Sequence, residues 1–489
     1  MMGLGMMQRQ RGTSSSNPNW FAGKFGLEVE AQRYDLKQQR LSRYPHPTNL
    51  GDRRTQPYFQ SDFTESMEEL VTTPQPSTKA ALSQLHTLQS LLQQSLRSDE
   101  IMWPLSMPPA VTDRDLELVK SSAKRRPWYA DYLNYLLEKY GSLQQIIAGV
   151  HINYSPTAAI ISAFQQQGSY ADRQAAQTAL LFSLAQQLVG YRWLITYLFG
   201  ATPVSENANR QFPSKIIQQF PVRSLRSSSY GYANRSEVQI SYASPTIFFR
   251  DLQAAVATQK LASVSEFYGP VRLKGGDSLT KLQATGPQYV EFRLFDDDPF
   301  SNNGISAEAL NLVHLLIVDA LVNRPVWTAA DLQAAMQANE SVALAHPETP
   351  LAPELYQQAL QLEHRLSGLI TRAPVVLRSS LAASQKFLAQ TIAHPNQTRA
   401  GQLLPFLRGQ SLTHYAQVRG CQIKTSYANQ TADQAMPEIP TKFHGMYLQA
   451  LQLGFPVMVT VDQHLKVTIN GRQHYFTKPV NLTNWAEVN

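Results

Sequence analysis

The sequence predicts a mixed α/β or α+β enzyme fold, and three observations carry that expectation. Segments at Phe25–Tyr34, Val150–Tyr154 and Tyr289–Phe295 alternate polar and apolar residues with the period of a strand. Long helical patterns lie between them: Leu82, Leu85, Leu88, Leu92 and Leu96 share one stripe, and Ala179–Phe199 forms another, closed by Gly200 and Pro203. The strands also carry charged residues, which together with interleaved helices argues for an enzyme rather than a simple sandwich.

Further elements follow in order. Ser306 with Glu308 opens a helix running to about Leu321 and stopped by Pro325, and Thr328 with Asp331 forms a capping box for the next. From about residue 300 to 455 the chain is mostly helical and rich in Gln, Ala and Leu. Val457–Val461, Leu465–Ile469 and Arg472–Phe476 alternate as strands, and Asn470-Gly471 predicts a type I′ hairpin turn. Residues 1–20 hold no acid and no apolar core, so they read as a flexible tail without a secretory signal, and the protein is expected in the cytoplasm.

Composition removes several function classes. With 43% apolar residues in 489, the chain can bury a sizeable core. Its most apolar stretch is interrupted by Gln186, Gln187 and Arg192, so no membrane span is expected. A single cysteine, Cys421, excludes a disulfide framework, thiolate zinc and iron–sulfur ligation, and is expected to be a small buried residue. The net charge is +7, yet the densest basic cluster is only Lys120, Lys124, Arg125 and Arg126. That pattern favours a solvated face, or cations around a nucleotide, over a nucleic-acid partner.

The P-loop, the Gly-rich dinucleotide fingerprint, the paired-histidine zinc motif and the nucleophile elbow are all absent. What stands out is a crowd of acids. Glu28 and Glu30 share one face of a strand, where two carboxylates repel unless protonated or bridged by a cation; the solvent side of an edge strand is the competing explanation. Asp62, Glu65 and Glu69 fall at i, i+3 and i+7, one face of a helix, which suits a hard cation or a solvated helix start. Glu291 and Arg293 alternate on one strand face, fitting a metal–phosphate site or a cross-strand ion pair. His151 and Asn153 share another strand face, where a structural histidine is the plainer reading. Oxygen ligands with at most one imidazole favour Mg²⁺ or Mn²⁺, and magnesium is usually shared with substrate phosphates. The residues therefore point to an ATP-dependent ligase or phosphotransferase without a P-loop.

At these same positions the sequence resembles the glutamate–cysteine ligases (γ-glutamylcysteine synthetases), in the bacterial branch related to bifunctional glutathione synthase. The matching blocks are GLEVE with Arg33, SDFTESMEEL, DEIMWPLSMPP at Asp99–Pro109, EKYGSLQQIIAGVHINYS at Glu138–Ser155, WLITYLFGATP at Trp193–Pro203, SLRSSSYGY at Ser224–Tyr232, EFYGPVRLK at Glu266–Lys274 and YVEFRLFDDDPF at Tyr289–Phe300. They keep the family's order across roughly residues 21–330. The resemblance implies an α+β fold similar to glutamine synthetase, a curved, largely antiparallel sheet with helices behind it. It implies one catalytic domain over residues 21–489, with no ATP-grasp domain. It further implies that ATP phosphorylates the γ-carboxylate of L-glutamate and that the amine of L-cysteine then displaces phosphate, giving γ-glutamylcysteine for glutathione biosynthesis.

Carried over by position, Glu28, Glu30, Asp62, Glu69, Glu100, His151 and Glu291 are similar to the family's ligands for Mg²⁺ (or Mn²⁺). Arg226 would hold the glutamate carboxylate, and Arg293, beside Glu291, would steady the transferring phosphoryl group. Tyr132, Tyr232 and Tyr268 would line the cysteine pocket, and Arg272 and Lys274 would meet nucleotide phosphates. The sequence departs from the family pattern at Gln32, Lys139, Ile152 and Leu273, around the acceptor rather than the ligands. A glutamate–amine ligase with another acceptor, and a non-catalytic homologue, therefore stay open as alternatives.

Overall fold

The computed structural model describes residues 18–53, 55–122, 130–276, 278–460 and 462–486. Most of the expected tail, and Lys124, Arg125 and Arg126 of the basic cluster, lie outside the described residues.

The organising element is β1 (Lys24–Asp35), whose alternation sorts its residues between two faces. Phe25, Leu27 and Val29 are buried among apolar neighbours, while Glu28 and Glu30 point the other way. β2 (Arg40–Leu41), β3 (Phe59–Ser61), β4 (Met67–Val71), β5 (Glu100–Met102), β6 (Val150–Ser155), β7 (Val271–Lys274) and β8 (Tyr289–Phe295) complete an eight-stranded sheet. Its order is β3-β4-β1-β6-β8-β7, with β2 and β5 pairing the far end of β1, and the pairings are antiparallel. The three strands expected from alternation are therefore present, extended by at most one residue at each end.

The segment around Asp62 and Glu69 is a correction. It forms β3, a turn and β4 instead of a helix, so Glu68 and Glu69 face opposite sides of the sheet. The apolar spacing of Phe63, Met67 and Leu70 suits a helix locally, but pairing with the open edge of β1 satisfies the backbone over five residues and prevails.

Helices cover the apolar face. Thr78–Ser95, Arg173–Gly190 and Ala307–Asn323 pack there against Phe25, Leu27, Val29, Ile152, Val290 and Phe292 in one continuous core. Every residue from Ala309 to Leu321 is buried, as expected of a helix surrounded on all sides. Its N-cap Ser306 accepts from the Ala309 N–H, and the Thr328–Asp331 capping box forms with both of its hydrogen bonds. The single helix expected over 179–199 is instead two, Arg173–Gly190 and Arg192–Phe199, broken at Tyr191. Gly190 sits against the Trp327 ring, where a Cβ would lie 2.3 Å from the indole.

A second sheet of β9 (Val457–Val459), β10 (Leu465–Ile469) and β11 (Arg472–Phe476) follows the helical region. Asn470 and Gly471 have φ of 49° and 77°, the two left-handed residues a type I′ turn needs. Cys421 is exposed, contrary to expectation, because the buried face of its helix Thr413–Ala428 is Tyr415, Ala416, Gly420, Ile423 and Tyr427. No helix among the described residues is long and apolar enough to cross a membrane.

Replacing Gly190 with alanine forces the Trp327 ring to move and should cost about 1–3 kcal/mol. Urea unfolding followed by tryptophan fluorescence checks this: a lowered midpoint with unchanged slope is expected, and an unchanged midpoint would show that the contact is soft.

Candidate active site

Register places the charged residues together. His151 stands opposite Glu28 and Glu69 opposite Glu30 across β1, while Asn153 and Arg272 stand opposite Glu291 on either side of β8. These strands thereby present Glu28, Glu30, Glu69, His151, Asn153 and Glu291 on the face away from the helices, and Arg293, two residues beyond Glu291, joins them.

The contacts among them are direct. His151 Nδ1 lies 3.1 Å from Glu28 Oε2, and Asn153 Nδ2 donates to Glu28 Oε1 at 2.8 Å. Arg293 Nη1 donates to Glu291 Oε1 at 3.0 Å and also lies 3.3 Å from His151 Nδ1. One ring nitrogen cannot both donate to Glu28 and accept from Arg293, so the protein alone leaves this cluster frustrated. Glu28, His151 and Glu291 each offer a ligand atom, and these atoms lie within 4.8 Å of one another. Among the described residues no hydrogen bond reaches buried His151 Nε2 or Glu291 Oε2, the latter lying 3.6 Å from Lys274 Nζ. Two carboxylates and an imidazole converging in this way, with ligand atoms not taken up by hydrogen bonds, fit a divalent cation.

Charge makes the same point. Burial, then Asp62 and Glu69, pushes the Glu30 carboxyl well above the usual carboxylate range. Burial, then Asp62 and Glu28, pushes Glu69 up to about 8. Burial also raises Glu291, but Arg293, Arg272 and Lys274 outweigh it and hold that carboxyl below its ordinary value. Burial, and then Arg293, holds the His151 imidazole well below its usual range, leaving it neutral and able to ligate. The acids nearest Asp62 are thus the ones short of positive charge.

Beside this cluster lie a guanidinium and a group of tyrosines. Arg226 is buried, and its side chain crosses Gly149 so closely that a Cβ there would fall 1.9 Å from Nη2. Arg293 Nη2 donates to the Tyr232 hydroxyl at 2.9 Å, and Tyr232 packs against Tyr268 with ring centroids 4.6 Å apart and the rings tilted by 38°. Tyr132, from helix Ala130–Tyr140, packs in the same apolar cluster as Tyr232 and Tyr268. Buried Glu266 anchors the outer wall, accepting from Lys139 Nζ at 2.6 Å and the Tyr140 hydroxyl at 2.7 Å.

Not every expected residue joins. Glu100 is corrected: it pairs with the odd-numbered, opposite face of β1, where its Oε1 accepts from Arg33 Nη1 at 2.9 Å and from Ser42. Arg33, fully buried, is held there by Glu100 and Glu68, so this carboxylate balances a guanidinium. Arg272 Nε donates to the Phe267 carbonyl and Nη2 to that of Ser265, while Lys274 Nζ lies 3.6 Å from Glu291. Sequence reasoning missed the seat of Arg226 on Gly149 and the acid run Asp296–Asp297 beneath it. The glycine before Val150-His151, and three consecutive aspartates after a strand, were the available signals.

Comparison with known proteins agrees with this architecture. The family model for glutamate-cysteine ligase matches residues 12–342. The glutathione biosynthesis bifunctional protein GshAB of Streptococcus agalactiae is 33% identical over 473 residues, covering 94% of this chain and 60% of its own length. The GshAB of Pasteurella multocida is 36% identical over 294 residues, or 60% of this chain and 38% of its own. The crystal structure of a bifunctional glutathione synthetase from Pasteurella multocida superposes with a TM-score of 0.81 at 27% identity, covering 95% of this chain and 60% of that one. A glutamate–cysteine ligase from Francisella tularensis in complex with AMP shares the fold, with a TM-score of 0.73 at 22% identity over 88% of this chain and 92% of that one. This chain spans about 60% of the length of the bifunctional relatives it matches.

The crowded carboxylates have a pH signature. Between its ordinary 4.5 and about 8, Glu69 holds a proton in the folded state that the unfolded chain has lost. Stability of the metal-free protein should therefore fall as pH rises through that window, and saturating Mg²⁺ should remove the slope. Melting temperatures in EDTA and in Mg²⁺ across the window check this; a metal-free curve that rises toward pH 8 would show that the carboxyls are compensated from within the protein.

Proposed function

The chain belongs to the glutamate-cysteine ligase family, and from that premise we propose that it joins the γ-carboxylate of L-glutamate to the amine of L-cysteine with ATP as co-substrate. The products are γ-glutamylcysteine, ADP and phosphate. The observation that carries this reading is the convergence of Glu28, His151 and Glu291 on one point beside Arg293, with Arg226 alongside. That arrangement suits transfer of a phosphoryl group onto the γ-carboxylate of a substrate whose other carboxylate is held by a guanidinium.

Glu28, His151 and Glu291 would hold one divalent cation, Mg²⁺ or Mn²⁺, and Glu30, Asp62 and Glu69 are the candidate ligands of further ones. Such cations supply neutralisation of phosphate charge and clamp the two reactants. The protein's own groups account for the rest. Arg226 offers its donors to the glutamate α-carboxylate, and the planar fork fixes that carboxylate's orientation. Arg293, positioned by Glu291 and Tyr232, faces the phosphoryl oxygens as charge develops on them. Lys274, 3.6 Å from Glu291, would meet the nucleotide phosphates, and Arg272, whose Nε and Nη2 donate to backbone carbonyls, would contribute its charge alongside. Tyr132, Tyr232 and Tyr268 form an apolar, water-poor wall for the acceptor, which limits hydrolysis of the acyl phosphate before the amine attacks. A cytoplasmic location, where ATP and reduced cysteine are available, accords with this chemistry.

The test is ADP release from Mg-ATP and glutamate with and without L-cysteine, with mass detection of the dipeptide. Cysteine-dependent turnover yielding γ-glutamylcysteine is expected; a preference for another amine would reassign the acceptor, and no turnover would overturn the reading. Arg226→Ala should raise the glutamate KM about 10- to 100-fold in a protein that still folds, as loss of a charge-assisted bidentate contact implies.

A further inference from the structure

Arg226 poses a physical problem that its neighbours resolve. It is 3% exposed, so its charge needs compensation, yet a tight ion pair would occupy the donors that a carboxylate substrate requires. Asp296, the first residue after β8, meets both demands. Its Oδ1 lies 3.9 Å from Arg226 Nη1, near enough for attraction and too far for a hydrogen bond. Among the described residues no hydrogen bond engages that Oδ1. The other oxygen, Oδ2, accepts from the Ala201 N–H at 2.7 Å, Thr202 Oγ1 at 2.8 Å and Ser224 Oγ at 2.8 Å. Three donors from two segments therefore lock the carboxylate. The same threonine carries the constraint onward: the Arg226 N–H donates to Thr202 Oγ1 at 3.1 Å, and the Leu225 N–H to the Thr202 carbonyl at 3.0 Å. Gly149 closes the opposite side, since any side chain there would collide with the guanidinium.

We propose that Asp296 is the positioning residue for Arg226: it fixes the guanidinium over Gly149 with its donors free and so sets glutamate recognition without itself touching substrate. This rests on the reading of Arg226 as the glutamate-holding residue. It also explains why β8 continues directly into the acid run, because one strand then sets both Arg293 and the anchor of Arg226.

Asp296→Asn tests it, since the amide oxygen can still accept from the three donors and only the charge is lost. Steady-state kinetics of wild type and variant should be measured with glutamate, cysteine and ATP varied in turn, alongside melting temperatures. The glutamate KM should rise about tenfold or more, while kcat stays within about threefold and the KM values for cysteine and ATP within about twofold. In an Arg226→Lys background the same change should add less than it does alone. Should Asp296→Asn fail to fold, Ser224→Ala removes one of the three donors and should raise the glutamate KM about threefold with the other constants held. An unmoved glutamate KM in a folded, active variant, or all three KM values rising together, overturns the proposal. A wild type without glutamate–cysteine turnover overturns the underlying reading, which is a different result.

Discussion

Carboxylates crowded on one face of a sheet repel one another, and the organisation of this protein follows from how that repulsion is contained. Glu28, Glu30 and Glu291 come from two strands of the central sheet, and Glu69 from a third. Two unit charges a few ångströms apart in a partly buried setting repel by about 4 kcal/mol, so several acids together are untenable without countercharge. Arg293 supplies it at Glu291, whereas among the described residues the pull of Arg293 on Glu30 and Glu69, and of Arg226 on Glu30, is outweighed by burial and neighbouring acids. The helices behind the sheet make that arrangement mechanically tolerable. Phe25, Leu27, Val29, Val290 and Phe292 are packed into a core too dense to let the strands separate.

The opposite face handles the same problem differently. There Glu68 and Glu100 meet Arg33, with His46 and Arg53 also against Glu68. Charge is balanced within the protein, and the cluster is a fixed joint between β1, β4 and β5. Residues of one chemical type thus serve two purposes, separated by the two-residue period of the strands. Glu30 and Glu69, short of countercharge, share the candidate site's face with Glu291 and its partner Arg293, whereas Glu68 and Glu100, matched to Arg33, tie strands of the scaffold together.

This distinction explains what the sequence could reveal. Alternation in Gly26–Glu30 and Tyr289–Arg293 exposed both the strands and the side on which their charges lie, because a strand's period is visible locally. Glu100 carried no such label: its partner, Arg33, is 67 residues away, and a lone buried acid looks alike whether it binds a cation or an arginine. The stretch around Asp62 and Glu69 misled for a related reason, since the spacing of Asp62, Glu65 and Glu69 fits one face of a helix until β1 offers an edge. The fold class and the helix caps at Ser306 and Thr328 were legible. The seat of Arg226 on Gly149 was not, because it depends on a contact across 77 residues that has no local periodicity.

The central claim is that the face holding Glu28, His151 and Glu291 is built to be completed by divalent cations. Calorimetric titration of Mn²⁺ into metal-free protein at pH 7 in two buffers of different ionisation enthalpy tests it most directly. Saturable binding with net proton release is expected, because cation binding displaces the proton that burial keeps on Glu69. In Glu291→Gln the affinity should fall by about 10- to 100-fold. Binding without proton release, or an affinity unchanged in that variant, would contradict the account.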